Sequence, residues 1–345
     1  MALDKIKNTP LPYAHKKELL DKVQTEDIQQ VSELVGDIII PYKAGQIQKG
    51  YILPSKSSKY TVFINYRNVL EFGQSYSRMT SLAPSTELII HINKILMRRI
   101  HEEWEIGKIR GFSEQPNEIY DTWYKLREFY PNLNPTNYFD ELLNWVDDSK
   151  YATHRMIRFA ILLYEFIDKA PLYSGNQLTT LSLITILAKE YGYNPEMLIS
   201  YSKALNFIAD DLISAFKLAK SKRDPTVFIE AFLYAISLET LNTQNLVSST
   251  FNKKVKKQGK LRSKFNTRQI KVLEYLENVT KISREEYTQM NRVSFMTSYR
   301  DLQHLVKEGY LEVNGTGRGT YYTLIRKQET DIKKPKLEVF SDPTV

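Results

Sequence analysis

Apolar residues recur at helical spacing through most of the chain, and two segments are apolar on nearly every side. These segments are THRMIRFAILLYEFIDK (153–169) and LTTLSLITILAKEYGY (178–193). Because a helix that is apolar all round belongs in a protein interior, the two segments predict a pair of buried central helices. The residues between them, 170–177, contain a Gly-Asn pair and are called the interhelical loop below. Free backbone N–H groups where the second helix starts are a potential anion site.

The first 64 residues show a different pattern, one helix followed by extended segments. KKELLDKVQTEDIQQVSELV (16–35) has helical spacing, whereas DIIIPY (37–42), YILPS (51–55) and YTVFINY (60–66) are short apolar runs. We interpret these runs as extended segments. We therefore expect an N-terminal extension over residues 1–64.

A helical core is expected over residues 65–220. TELIIHINKILMRRIHEEW (86–104) has helical spacing, and another helix is expected to begin near Pro135. Between them, GKIRGFSEQPNEIY (107–120) predicts a loop or a small β-hairpin flap. After the core, we expect one more helix and a basic linker over 221–264.

From residue 265 to 327 the pattern changes to three short helices and a hairpin. Ser283 and Glu286 form the sequence signature of a capping box at the start of the second helix. Ser294 is a candidate N-cap for the third helix, and YLEVNGTGRGTYYTLI (310–325) alternates around a glycine-rich turn. This order predicts a winged helix-turn-helix domain. The expected fold class is thus mainly α, with a disordered tail over 328–345.

The net charge of +8 is concentrated in one region. Residues 251–328 contain 17 Lys/Arg and 7 Asp/Glu, a balance of +10, whereas residues 1–250 have a balance of −1. A localised basic surface favours a nucleic-acid partner. The alternative is a solvated basic face that serves solubility.

The candidate DNA contacts follow from the expected docking of the third helix in the major groove. They lie early on that helix, at the wing tip and in the basic linker: Ser294, Met296, Thr297, Ser298, Tyr299, Arg300, Arg318, Lys254 and Lys257. Two observations favour the opposite view. Asp301 is placed to pair with Arg300 or Lys307, which would reduce the charge available to DNA, and winged helices also bind proteins.

Composition excludes several classes of function. No apolar run approaches the roughly 20 residues of a membrane span, and the N-terminus lacks the apolar core of a signal peptide. The chain has no cysteine, hence no disulfide and no thiolate metal site. We expect a cytoplasmic protein without a membrane partner or a bound metal.

Residues from about 65 to 325 resemble the Fic (Fido) proteins that carry a C-terminal winged helix. Gly107 and Arg110 match the family's G-x-x-R ahead of its target-binding flap, and VSFMTSYRDLQHLVKEGYLEVNGTGRGTYY (293–322) resembles the appended domain. The family's signature, H-P-F-x-[D/E]-G-N-G-R-x-x-R, lies between two buried helices, as the interhelical loop does. The resemblance implies transfer of AMP from Mg-ATP to a hydroxyl of a target protein.

The loop departs from that signature where the family places its chemistry. Ala170 stands at the catalytic histidine, Ser174 at the magnesium-binding acid, Gln177 at the second glycine, and Leu178 and Leu181 at the two phosphate-binding arginines. The shape-forming positions remain: Pro171, Leu172, Gly175 and Asn176. Of these, Gly175 and Asn176 are the candidates for a residual anion or nucleotide contact.

These substitutions should greatly reduce the rate of AMP transfer. A general base contributes a factor of roughly 10²–10⁴ to the reaction rate, and one preorganised electrostatic donor contributes a factor of about 10²–10³. Asp168 and Lys169 lie nearest to the loop but are interpreted as helix-end charges, and His154 is a helix length away.

In the family, an inhibitory helix carries a glutamate, and the best counterpart here is Thr80 in SRMTS (77–81).

The sequence therefore predicts a degenerate Fic protein without AMP-transferase activity and without a cofactor, acting as a DNA-binding or regulatory scaffold. A protein partner and homodimerisation through the apolar helices are further options. The alternative is an active nucleotidyltransferase that uses Mg-ATP, modifies Ser, Thr or Tyr and draws its base and metal ligand from outside the loop.

Overall fold

The computed structural model describes residues 2–10, 13–54, 59–77, 84–111, 114–116, 121–126, 134–148 and 150–325. It divides into two compact units, Met1–Asn252 and Lys253–Val345. Thr80 and the tail over 328–345 lie outside the described residues, so the predictions made for them stay predictions.

The first unit is built of α-helices around one apolar core. The helices are α1 (Ala2–Asn8), α2 (Tyr13–Leu34), α3 (Pro41–Gln48), α4 (Thr61–Ser75), α5 (Thr86–Met97), α6 (Pro135–Asp147), α7 (Arg155–Lys169), α8 (Asn176–Glu190), α9 (Tyr201–Phe207), α10 (Ala209–Lys222) and α11 (Thr226–Lys264), with a 3₁₀ turn at Thr122–Leu126. Helix α11 continues past the division between the units.

The two central helices are confirmed. Every residue of α8 from Asn176 to Ala188 is buried. Helix α7 buries Phe159, Leu162, Leu163 and Phe166. Since α8 packs against α4, α5 and α7, its polar residues are also enclosed, and the loop that starts it cannot lie on an open surface.

The extended segment expected at YTVFINY is wrong, because this run begins α4, whose residues Thr61 to Tyr66 are all buried. The expectation for DIIIPY holds in part: residues 37–40 lie outside any helix and Ile40 has an extended backbone, whereas α3 starts at Pro41. A short, continuous apolar run does not distinguish a strand from a buried helix by periodicity, and proline is favoured in the first turn of a helix. Residues of α2, α3 and α4 share the core of α7 and α8, so residues 1–64 pack with that core.

The described part of residues 107–120 is a loop, one of the two alternatives expected there. Ile109 forms an isolated antiparallel bridge with Leu172 of the interhelical loop, and a hairpin over residues 112–113 and 117–120, which lie outside the described residues, stays a prediction. The backbone N–H and C=O groups of residues 108–110 thus pair with those of the interhelical loop.

The second unit has the predicted three helices and a hairpin. The elements are α12 (Thr267–Asn278), β1 (Ile282–Ser283), α13 (Arg284–Asn291), α14 (Phe295–Lys307), β2 (Leu311–Asn314) and β3 (Tyr321–Leu324), with a 3₁₀ turn at Gly317–Gly319. The strands form an antiparallel sheet in the order β1-β3-β2, in which Val313 pairs with Tyr322. Ser283 and Glu286 form the predicted capping box, and Ser294 caps α14.

Candidate functional site

The interhelical loop is a tight turn with a left-handed residue at each end. Ala170 ends α7 at φ 38° and ψ 80°, and Gly175 precedes α8 at φ 68°. The Asn176 side chain closes the turn: its Oδ1 accepts from the Leu172 amide and its Nδ2 donates to the Leu172 carbonyl, both at 2.9 Å. The surviving Gly-Asn pair therefore shapes the loop, and both ends of the asparagine amide are used within it.

Residues 108–110 hold the loop from one side. The Arg110 amide donates to the Pro171 carbonyl at 3.0 Å, and the Tyr173 amide donates to the Lys108 carbonyl at 2.9 Å. The buried Arg110 guanidinium adds hydrogen bonds of 2.7 Å to the carbonyls of Ala170 and Lys169. Arg110 thus neutralises the carbonyl end of α7, where the helix dipole favours a cation.

Helix α5 covers the other side of the loop and fills the space beside Gly175. A Cβ placed on Gly175 would lie 2.5 Å from the Cε of Met97. The Asn93 Nδ2 donates to the Ser174 carbonyl at 2.9 Å and to the Thr179 hydroxyl at 3.1 Å. No sequence signal singled out Met97, because it lies 78 positions from the glycine that it contacts.

The start of α8 is consequently sealed. Ser174, Asn176, Gln177 and Leu178 expose at most 1% of their surface. At position 177 the family signature has glycine. Here the Gln177 side chain occupies that position, and its Oε1 accepts a hydrogen bond from the Thr122 backbone amide at 2.8 Å. The N–H groups at this helix start are therefore enclosed by the protein itself, and the anion contact predicted for Gly175 and Asn176 stays a prediction.

The site does not fit a magnesium-nucleotide. The Ser174 Oγ is buried and has no hydrogen-bond partner among the described residues, and a hydroxyl there supplies no negative charge for a cation. Leu178 and Leu181 are buried in the core. In the described part of the chain, no group of three or more His, Asp or Glu could hold a metal.

The charged residues nearest to the loop are engaged with one another. Asp168 is buried and pairs with Lys220 at 2.6 Å and with Lys169 at 3.3 Å, and Lys169 also pairs with Glu165. Asp168 is therefore more than the helix-end charge we expected, since it joins α7 to α10. His154 caps the opposite end of α7, roughly 22 Å away at about 1.5 Å per residue.

Helix α14 of the second unit presents the other candidate surface. Phe295, Met296, Tyr299 and Arg300 are exposed, Thr297 is half-buried, and Ser294 caps the helix. Ser298 was wrongly included among the contacts: it is buried, and its hydroxyl is 2.7 Å from that of Thr288. Its position is one helical turn behind the core residue Leu302, which turns it inward.

The expected pairing of Asp301 is also wrong. Asp301 accepts from the Nε of Arg268 at 2.8 Å, from the Asn266 amide at 3.0 Å and from the Tyr287 hydroxyl at 3.0 Å. Among the described residues, the ionic partner of this carboxylate is therefore Arg268, and Arg300 and Lys307 are exposed. The side chains of Lys254, Lys257 and Arg318 lie outside the described part, and their predicted contacts stay predictions.

One further cation near this surface was missed. Arg284, the first residue of α13, has its guanidinium carbon 4.2 Å from the ring centroid of Phe295 and 5.5 Å from that of Tyr299. The sequence held a signal for it, since Arg284 directly follows the N-cap Ser283 and so lies in the first turn of a helix.

The fold and the site define a mainly helical protein whose two central helices enclose a sealed loop. No family model and no curated protein matches the sequence. Its structure is similar to that of a Fic family protein from Desulfovibrio desulfuricans G20, with a TM-score of 0.54, 15% identity and 95% of each chain covered. It is also similar to a Fic domain containing signaling protein from Bacteroides thetaiotaomicron VPI-5482, with a TM-score of 0.54 and 14% identity, over 73% of this chain and 96% of that one.

The chain therefore has a Fic-type fold, as the sequence resemblance implied. At these identities the likeness extends to the fold alone. In the described residues, no helix is both long enough and apolar enough to cross a membrane.

Proposed function

We propose that this chain is a Fic-fold protein without AMP-transferase activity that acts as a DNA-binding regulatory protein. The observation that carries the first half is the sealed start of α8, where Met97 occupies the space beside Gly175. A phosphate bound there would need the covered N–H groups and a cation, and the positions of both signature arginines are buried leucines.

The chemistry of the loop supports the same conclusion. Ala170 has no group that can take a proton, and Ser174 cannot replace an ionised acid as a magnesium ligand. The neighbouring Asp168 is buried and engaged in ion pairs with Lys169 and Lys220, which hold its carboxylate in place away from a base's role. Loss of the general base alone lowers the reaction rate roughly 10²–10⁴-fold. The residues that would bind the metal and the phosphates are missing as well.

Two measurements with Mg-ATP test this half. A ligand that binds only the folded state, present at 100 times its Kd, would add about 2.7 kcal/mol to stability, and we expect no shift in Tm. Intact-mass analysis after incubation with candidate targets should show no added AMP. An adduct of nucleotide mass on any protein in the mixture, including this one, would contradict the proposal.

DNA contact is supported by the second unit. Three helices followed by a hairpin are the arrangement of a winged helix-turn-helix domain, in which α14 would enter the major groove. The balance of +10 over residues 251–328 supplies the charge, and Asp301, turned inward toward Arg268, leaves Arg300 exposed on α14.

Salt dependence tests the DNA half. Phosphate contacts release counterions, so affinity for any duplex should fall steeply as salt rises. Retention of the full chain on a duplex at low salt, lost at high salt, is the expected result. No retention on any duplex at low salt would contradict DNA contact, and capture of a protein partner by α14 in its place would favour the interaction-module alternative.

A further inference from the structure

The first turn of α14 carries an apolar surface that charge alone does not explain. Phe295, Met296 and Tyr299 expose 53%, 61% and 44% of their surface. Single exposed apolar residues are ordinary, but three within five positions on one helix start form a patch of the kind that marks a contact site.

The patch is held in place by a cation. The Arg284 guanidinium lies over Phe295 and near Tyr299, a cation–π arrangement that fixes both rings and sets a positive charge beside them. An apolar surface with a fixed cation, in a region with a balance of +10, complements a polyanion that also presents apolar groups.

The major groove of DNA has one such group. Thymine is the base that presents a methyl there, whereas the other edges present hydrogen-bond donors and acceptors. Methionine and phenylalanine side chains do not form strong hydrogen bonds with those donors and acceptors, but they can make apolar contact with a methyl group. Gln303 lies farther along the same side of α14, because positions three and four apart share a helix face, and its amide can bond an adenine edge.

We propose that the first turn of α14 recognises thymine methyl groups, with Met296 as the main contact and the Arg284-held Phe295 and Tyr299 beside it. This inference rests on the proposed DNA contact and adds the class of sequence that the surface selects, a site that contains A·T pairs. Burial of one methyl is worth about fourfold in affinity, so two contacted thymines should give roughly fifteenfold.

Deoxyuridine removes the methyl group and keeps the base pair. The full chain would be titrated by fluorescence anisotropy with three duplexes of equal length at one salt concentration: alternating dA·dT, alternating dA·dU and alternating dG·dC. We expect the dA·dT duplex to bind fourfold or more tighter than the dA·dU duplex. Met296→Ala should abolish that ratio, whereas Tyr275→Ala, which truncates an exposed apolar residue on α12, should preserve it.

Each other outcome has a distinct meaning. Equal affinity for the dA·dT and dA·dU duplexes would overturn thymine recognition and leave DNA contact intact. A preference for thymine that is undiminished in Met296→Ala would overturn the assignment of Met296 as the main contact. Binding to none of the three duplexes at low salt would overturn both this inference and the DNA half of the proposed function. Circular dichroism of each variant establishes that it is folded.

Discussion

Two helices of this protein begin after a short turn, and they begin in opposite environments. Helix α8 starts inside the first unit, where Gly175 meets Met97 and the following residues are buried. Helix α14 starts at the surface of the second unit, with Phe295 and Met296 exposed. The N–H groups of a helix start attract an anion only if the anion can reach them. Helix α8 fails that condition, although the resemblance to a phosphate-binding loop is at α8.

The largest expected effect comes from Gly175→Ala, which tests the seal at α8. Alanine at φ 68° costs about 1–2 kcal/mol, and the contact with Met97 adds about 1–3 kcal/mol of overpacking. Denaturant unfolding followed by tryptophan fluorescence measures the loss, because the three tryptophans, Trp104, Trp123 and Trp145, all lie in the first unit.

Gly192→Ala is the matched control at the other end of α8. Gly192 has φ +77°, and an added Cβ would have the end of the Lys7 side chain 3.6 Å away as its neighbour. It should show the backbone cost without the overpacking. The double variant Gly175→Ala with Met97→Ala should lose less than the sum of its single variants. Equal losses for the two glycines would show that the space beside Gly175 is open.

The second prediction concerns Asp301, which holds α14 against α12 and α13. Burial alone would raise the pKa of Asp301, but hydrogen bonds from Arg268, Asn266 and Tyr287 outweigh it and lower the pKa below 3.8. The folded state then binds fewer protons than the unfolded chain, so this contribution is full above that value and is lost as pH falls through the lowered pKa. Asp301→Asn should cost about 1–3 kcal/mol and remove this pH dependence.

Hydrogen exchange over α12 to α14 measures the stability of the second unit as a function of pH. In the first unit, the pKa of Asp27 is shifted in the opposite direction. Burial raises the pKa of Asp27, despite hydrogen bonds from Ser200, Ser202 and Tyr66. The contribution of Asp27 to the free energy of unfolding is therefore full below the pKa that Asp27 has in the unfolded chain. It falls as pH rises through the raised pKa of the folded state. The contributions of Asp301 and Asp27 to the free energy of unfolding should therefore have opposite slopes against pH. Because the pKa values of Glu286 and Glu308 in the second unit are lowered as well, Asp301→Asn should reduce the slope of that unit without abolishing it. A slope that is unchanged in Asp301→Asn would contradict the assignment.

The third prediction tests the exposed start of α14 through its charge. Arg300→Gln removes one cation near the phosphates and should weaken duplex binding by about one order of magnitude at 0.1 M salt. It should also reduce the slope of log affinity against log salt by about one. Lys217→Gln, an exposed lysine of α10 in the first unit, should leave the slope unchanged. If both variants have the same slope as the parent chain, α14 is not the DNA-contacting helix.

The sequence predicted the local features of both helix starts and missed the long-range ones. The capping box of Ser283 and Glu286 was found because both residues lie within one turn. Met97 on Gly175 and Arg268 on Asp301 were missed because 78 and 33 positions separate the partners. YTVFINY was misassigned because its apolar run fits a strand and a buried helix equally well. Ser298 lies one helical turn before the apolar Leu302, a spacing that predicts a buried position for Ser298 from the sequence alone.

The last prediction expects no effect on catalysis, and it is the sharpest test of the seal. Ala170→His restores the family's base at a residue that is 1% exposed and left-handed, with φ 38°. A base can contribute its roughly 10²–10⁴-fold only when a nucleotide is bound, and Met97, Ser174, Leu178 and Leu181 still exclude one. We therefore expect no AMP adduct by intact mass and no Mg-ATP shift in Tm. An adduct in this variant would mean that the loop opens in solution and that the missing histidine alone had silenced the site.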